Sequence, residues 1–124
     1  MDEKKKILVI DDDKTIHTLL KFGLEKEGYQ VFAALDSMQG MMMAKQVKPD
    51  LIILDIMMPA GGGFVVYERL QMMLGSFQVP FLIYSALAYS EIATKIHESP
   101  QVEIISKNAK LEDIMLAIKR LTGG

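Results

Sequence analysis

The chain has no cysteine, so it carries neither a disulfide framework nor a thiolate metal site. Long apolar runs are missing too. Runs such as ILVI at 7–10, LIIL at 51–54 and VPFLIY at 79–84 fall far short of the roughly 18 residues that span a bilayer. No secretory leader is visible, because Lys4, Lys5 and Lys6 lead into only four apolar residues before three aspartates. Charge of one sign is not in excess either. The formal net charge of −2 gives no broad electrostatic case for nucleic-acid binding, and the lysine run reads as a solvated approach to a first strand. Histidine is limited to His17 and His97, both read as surface positions rather than metal ligands. These absences fit a cytoplasmic protein with no membrane segment, and 124 residues is the size of one domain, 1–124.

Half of the residues are hydrophobic, enough for one continuous core. Ten methionines, with Met41, Met42 and Met43 in a row, suit adaptable core filling and a soft partner surface. Short runs rich in Ile, Val and Leu at about 7–10, 51–54, 80–84 and 102–105 suit strands buried on both faces. A weaker strand is expected from Gln30 to Ala34. Between the strands lie helical patterns. Ile16, Leu19, Leu20 and Leu24 mark the first, with Gly28 at its C-terminal end. The second starts at Asp36 or Ser37 and runs to about Val47, stopped by Pro49. The third covers roughly 64–74. The fourth, with Ile92, Ala93 and Ile96, runs from about Tyr89 and ends before Pro100, and the fifth carries the stripe Leu111, Ile114, Met115, Ile118 and Leu121. Strand and helix alternating five times predict an α/β fold in which one parallel sheet lies between helices.

In open sheets of this kind ligands bind beyond the carboxyl ends of the strands, so the residues that end strands matter most. The first strand ends in Asp11, Asp12 and Asp13, and the third ends in Asp55. The fourth ends in Ser85, and the fifth in Ser106 and Lys107. Close carboxylates repel and resist burial, so such a cluster calls for a cation, and an all-oxygen donor set favours Mg²⁺. Magnesium usually takes one or two carboxylates and phosphate oxygens, leaving a carboxylate free as a nucleophile toward phosphorus. Lys107 and the Ser85 hydroxyl supply a charge and a hydrogen bond for phosphoryl oxygens.

VIDDDKTIHTLL, LIILDIMMPAGGGF, FLIYSA and IISK together resemble, in order and spacing, a response-regulator receiver domain of two-component signalling, of the chemotaxis-regulator type. The resemblance implies a doubly wound, flavodoxin-like sheet of order 2-1-3-4-5 with five helices. It implies Asp55 as phosphoacceptor and Asp11, Asp12, Asp55 and the Met57 backbone carbonyl as holders of Mg²⁺. Ser85 matches the switch hydroxyl, Lys107 the invariant lysine, and Asp13 a helix-start residue. A histidine kinase or histidine phosphotransfer domain would donate the phosphoryl group, the receiver itself catalysing only its own phosphorylation and dephosphorylation. The face of the fourth helix, fifth strand and fifth helix, with Ile92, Ile96 and Ile104, would bind a downstream effector or a second copy. No output domain is expected within 1–124.

Several positions depart from the family pattern. Met58, Pro59 and Gly63 match it, but Gly61 and Gly62 loosen the loop between them. Asn108 replaces the proline after Lys107, which predicts a trans bond there because a cis one costs about 2.5–4 kcal/mol. Ile104 stands where an aromatic switch residue is usual, leaving Tyr84 as the nearest aromatic, and Pro100 interrupts a stretch that is commonly Gly-Ala. Apolar Met57 and Leu87, two places after Asp55 and Ser85, imply slow self-dephosphorylation. The alternatives are a receiver that binds partners without phosphorylation, an aspartyl-phosphate hydrolase, and a flavin binder. The hydrolase pattern after the first strand is D-x-D-x-[TV], where Asp11 to Asp13 here open DDDKT, and the hydroxyl-rich phosphate loop of flavin binders is missing.

Overall fold

The computed structural model describes residues 4–58, 62–75 and 78–123. The strands are β1 (Lys6–Ile10), β2 (Gln30–Ala34), β3 (Leu51–Leu54), β4 (Phe81–Ser85) and β5 (Val102–Ser106). They form one parallel sheet in the order β2-β1-β3-β4-β5. The helices are α1 (Lys14–Lys26), α2 (Ser37–Val47), α3 (Gly63–Leu74), α4 (Tyr89–Ala93) and α5 (Leu111–Thr122). The expected fold class and strand order are both observed.

Alternation along the strands feeds two hydrophobic layers. Ile7, Val9, Ile53, Leu82 and Tyr84 face Leu20, Leu24, Ile114 and Ile118 of α1 and α5. Leu8, Ile10, Ile52, Leu54, Phe81 and Ile83 face Val66, Leu70, Ile92 and Ile96 on the other side. Each such aliphatic side chain contributes roughly 1.5–3 kcal/mol on burial, which explains why the continuous apolar runs become central strands. Met41 and Met43 pack at the margin of this second layer, whereas Met42 is exposed.

Local signals set the helix ends. Asp13 caps α1 by accepting from the Thr15 N–H, and Asp36 caps α2 by accepting from the Gln39 N–H. Gly28 follows α1 with φ of 92°, a left-handed conformation that glycine adopts without strain. At Gly63 a Cβ would collide with the Ile56 backbone, so the first turn of α3 presses directly on the segment after β3.

Three expectations need correction. Helix α4 stops at Ala93 rather than continuing through Ile96. The Thr94 hydroxyl donates to the Glu91 carbonyl at 2.7 Å, and the chain then forms the isolated bridge Ser99–Val102 into β5. His97 therefore lies beyond the helix. Glu98 links the two elements, accepting from the Tyr89 hydroxyl at 2.6 Å and from the Ile104 N–H at 3.0 Å. Second, Ile92 and Ile96 are core residues, 1% and 2% exposed, and Ile104 is only partly buried against that core. The outward side of α4–β5–α5 instead presents Tyr89 and Leu116. Third, the inner stripe of α1 is His17, Leu20, Gly23 and Leu24, while Leu19 turns outward. Pro59 and Gly61, part of the expected loop pattern, lie outside the described residues.

Candidate functional site

Strand register builds the site. Ile10 pairs with Leu54 across β1 and β3, so the next residue on each strand, Asp11 and Asp55, emerges side by side at the carboxyl edge. The Asp55 N–H donates to the Ile10 carbonyl at 3.0 Å and the Asp11 N–H to the Ala34 carbonyl at 3.1 Å. These bonds extend the ladder one residue and fix both backbones. On the other side Ser85 pairs with Ser106, and the Lys107 N–H donates to the Ser85 carbonyl at 3.0 Å. The topology thus delivers side chains from β1, β3, β4 and β5 to one rim.

Asp11, Asp12 and Asp55 each offer a carboxylate oxygen within 4.8 Å of the others. Asp11 and Asp55 are buried, and Asp12 is exposed. The Lys107 ammonium lies 2.7 Å from Asp11 Oδ2 and 2.9 Å from Asp55 Oδ2. It also sits 5.9 Å from the centre of the Tyr84 ring. The remaining oxygens are held locally: Asp11 Oδ1 accepts from the Asp13 N–H, and Asp55 Oδ1 accepts from the Met57 N–H, both at 2.9 Å.

The charges strain against burial. Desolvation pushes the Asp11 carboxyl above its ordinary value despite the lowering influence of Lys107 and the Asp13 N–H. For Lys107 burial acts downward, but the hydrogen bonds to Asp11 and Asp55 outweigh it together and carry the ammonium above the usual lysine range. One ammonium shared by a carboxylate cluster leaves net negative charge at the rim, and the donors are all oxygen. That set fits a hard divalent cation such as Mg²⁺.

Asp11, Asp12, Asp55 and Lys107 are therefore brought together as expected. Ser85 stands at the end of β4, 1% exposed, its hydroxyl accepting from the Leu87 N–H at 3.2 Å. Met57 meets the site through its N–H, and its side chain is half exposed. The bond between Lys107 and Asn108 is trans. Tyr84 is no surface rotor. Strand alternation puts it in the α1–α5 layer, opposite the face on which Ile104 packs.

His17 is a residue that the sequence reading placed on the surface. It is 9% exposed, and its Nε2 lies 2.7 Å from the Asp11 carbonyl. The spacing His17, Leu20, Leu24 was a usable signal, since it continues one helical face.

A family model described as "Response regulator receiver domain" matches residues 7–119. The chain is 34% identical over 116 residues to the DNA-binding dual master transcriptional regulator RpaA of a Synechocystis strain, covering 94% of this chain and 48% of that protein. It is 46% identical over 67 residues to the alkaline phosphatase synthesis transcriptional regulatory protein PhoP of Bacillus subtilis, covering 54% of this chain and 28% of that one. The chain thus spans about half or less of these curated relatives' lengths. Among solved structures it resembles the chemotaxis protein CheY4 of Vibrio cholerae, with a TM-score of 0.86 at 23% identity over 96% of this chain and 99% of that one. A CheY-like receiver domain protein of Methanospirillum hungatei gives a TM-score of 0.84 at 23% identity over 98% and 95% of the two chains.

Proposed function

The chain belongs to the response regulator receiver domain family, and from that premise we propose that it accepts a phosphoryl group on Asp55 from a phosphohistidine on a kinase or phosphotransfer domain. The observation that carries this reading is the cluster of three carboxylates within 4.8 Å of one another, bridged on two sides by Lys107. Two buried carboxylates beside an exposed third are costly when uncompensated. The cluster makes sense as a place where a cation and a phosphoryl group complete the charge balance.

In this reading an Asp55 carboxylate oxygen attacks phosphorus as the P–N bond of the donor breaks, and the imidazole leaves with the bonding pair. Bound Mg²⁺, held by Asp11, Asp12, Asp55 and the Met57 carbonyl, would neutralise charge on the carboxylates and the phosphoryl oxygens. The Met57 N–H orients one oxygen of Asp55 and leaves the other beside Lys107. Lys107 then shifts its donation to the new phosphoryl oxygen, and the Ser85 hydroxyl turns from the Leu87 N–H to donate to another. Loss of that local bond links phosphorylation to the segment leading into α4. The output is a change in affinity at the α4–β5–α5 face for a downstream protein or a second copy. The domain, spanning 1–124 and acting in the cytoplasm, is a signalling phosphoacceptor and turns over no substrate besides its own acyl phosphate.

Intact-mass measurement after treatment with acetyl phosphate and Mg²⁺ tests the reading. One phosphoryl adduct is expected on the native chain and none on Asp55→Asn. Equal labelling of both proteins, or none on the native chain, would overturn it.

A further inference from the structure

The hydrogen bond between His17 and the Asp11 backbone has a direct bearing on the acidic pair. A carbonyl can only accept, so the 2.7 Å contact requires a proton on Nε2 of His17. The ring is buried, and its Nδ1 has no hydrogen-bond partner among the described residues. The imidazole is thus committed to this one polar contact. No other hydrogen bond to the Asp11 carbonyl is found among the described residues.

That carbonyl belongs to the peptide unit joining Asp11 to Asp12. The Asp11 side chain has independent anchors in Lys107 and the Asp13 N–H. The Asp12 side chain is exposed and has no hydrogen bond among the described residues, so its direction depends on the peptide plane that precedes it. We propose that His17 is a positioning residue for cation binding: its Nε2–H clamps the peptide between Asp11 and Asp12 and so fixes the two carboxylates relative to each other. The inference rests on the reading of Asp11 and Asp12 as holders of Mg²⁺. Groups that orient metal ligands commonly change affinity by about 10–100-fold when removed. His17 acts through the backbone rather than on a carboxylate, so the lower end of that range applies.

The test is calorimetric titration of the metal-free domain with magnesium chloride, run beside urea unfolding without metal. His17→Leu keeps an apolar body and removes the donor, and its Mg²⁺ affinity should fall about tenfold. His17→Gln carries an amide N–H at the reach of Nε2 and should recover most of that loss. His17→Asn, whose amide stops short, should not. If His17→Leu does not fold, the comparison of Gln with Asn decides. Native affinity in His17→Leu, or equal affinities in the Gln and Asn variants, would overturn the clamp while leaving the phosphoacceptor reading intact. A native chain that binds no Mg²⁺ at millimolar concentration would overturn the metal reading and the clamp together.

Discussion

Lys107 Nζ lies 2.9 Å from Asp55 Oδ2 across 52 positions of sequence, and the same ammonium reaches Asp11 at 2.7 Å. A single side-chain cation therefore serves two buried carboxylates. Substituting Lys107→Met leaves those carboxylates without a counterion. Fully buried pairs lose about 3–5 kcal/mol when one partner is removed, and exposed pairs contribute roughly 0–1 kcal/mol. The Lys107 side chain is 18% exposed, so an intermediate loss of about 1–3 kcal/mol is expected in urea unfolding without metal. Saturating Mg²⁺ should restore part of it. An unchanged unfolding midpoint would show that the carboxylates are adequately solvated.

The contact of Gly63 with the Ile56 backbone gives a second expectation. A methyl group at residue 63 has nowhere to go, because the atoms it meets are main-chain atoms rather than a flexible side chain. Gly63→Ala should cost about 2–3 kcal/mol, toward the upper end for overpacking, and should disturb Asp55, the residue before Ile56. Chemical denaturation gives the first effect and the yield of the phosphoryl adduct the second. Wild-type values in both assays would contradict the packing.

Tyr67 provides a test in alkali. Burial raises its phenol above 10.0, and its hydroxyl oxygen accepts from Gln71 Nε2 at 2.7 Å. A group whose folded value is raised contributes stability that is complete below its unfolded value and is lost as pH climbs through the folded one. Tyr67→Phe should therefore cost about 0.5–1.5 kcal/mol at neutral pH, the ordinary net contribution of a hydrogen bond. The gap to the native chain should shrink above pH 10.0. A gap that widens there would contradict the burial of the phenol.

Met57 offers a kinetic prediction. The residue is 53% exposed, its N–H donates to the Asp55 carboxylate, and its thioether side chain cannot orient water. Met57→Glu adds a group that can, and a well-positioned acid or base typically contributes 10²–10⁴-fold. At a half-exposed position a smaller gain of roughly tenfold in acyl-phosphate decay is expected. Decay followed by intact mass after removal of acetyl phosphate checks it, and equal lifetimes would sink the idea.

The sheet was readable because ILVI and LIIL can only be satisfied with both faces covered, and because turns and caps such as Asp13, Asp36 and Gly28 fell between periodic segments. The site was readable for a related reason, since Asp11, Asp55 and Lys107 each follow the last residue of a strand. Phase was harder. On α1 the apolar Leu19 drew the inner face one residue away from His17, because hydrophobicity alone does not reveal that a histidine finds a buried carbonyl. The length of α4 was hidden too. Its end depends on a threonine hydroxyl and a bridge to β5, which a periodic Ile92–Ile96 pair does not report. The outward reading of those two isoleucines failed with it.

Glu98 joins two elements through one carboxylate, taking the Tyr89 phenol on one oxygen and the Ile104 amide on the other. An edge strand with free amides invites another strand to pair with it, and here one of the β5 amides is already engaged from within the same molecule. A visitor at this margin must first displace an acid that also anchors an aromatic ring. Access to the rim of the sheet and the posture of that ring are thereby yoked, so neither can be altered without disturbing the other.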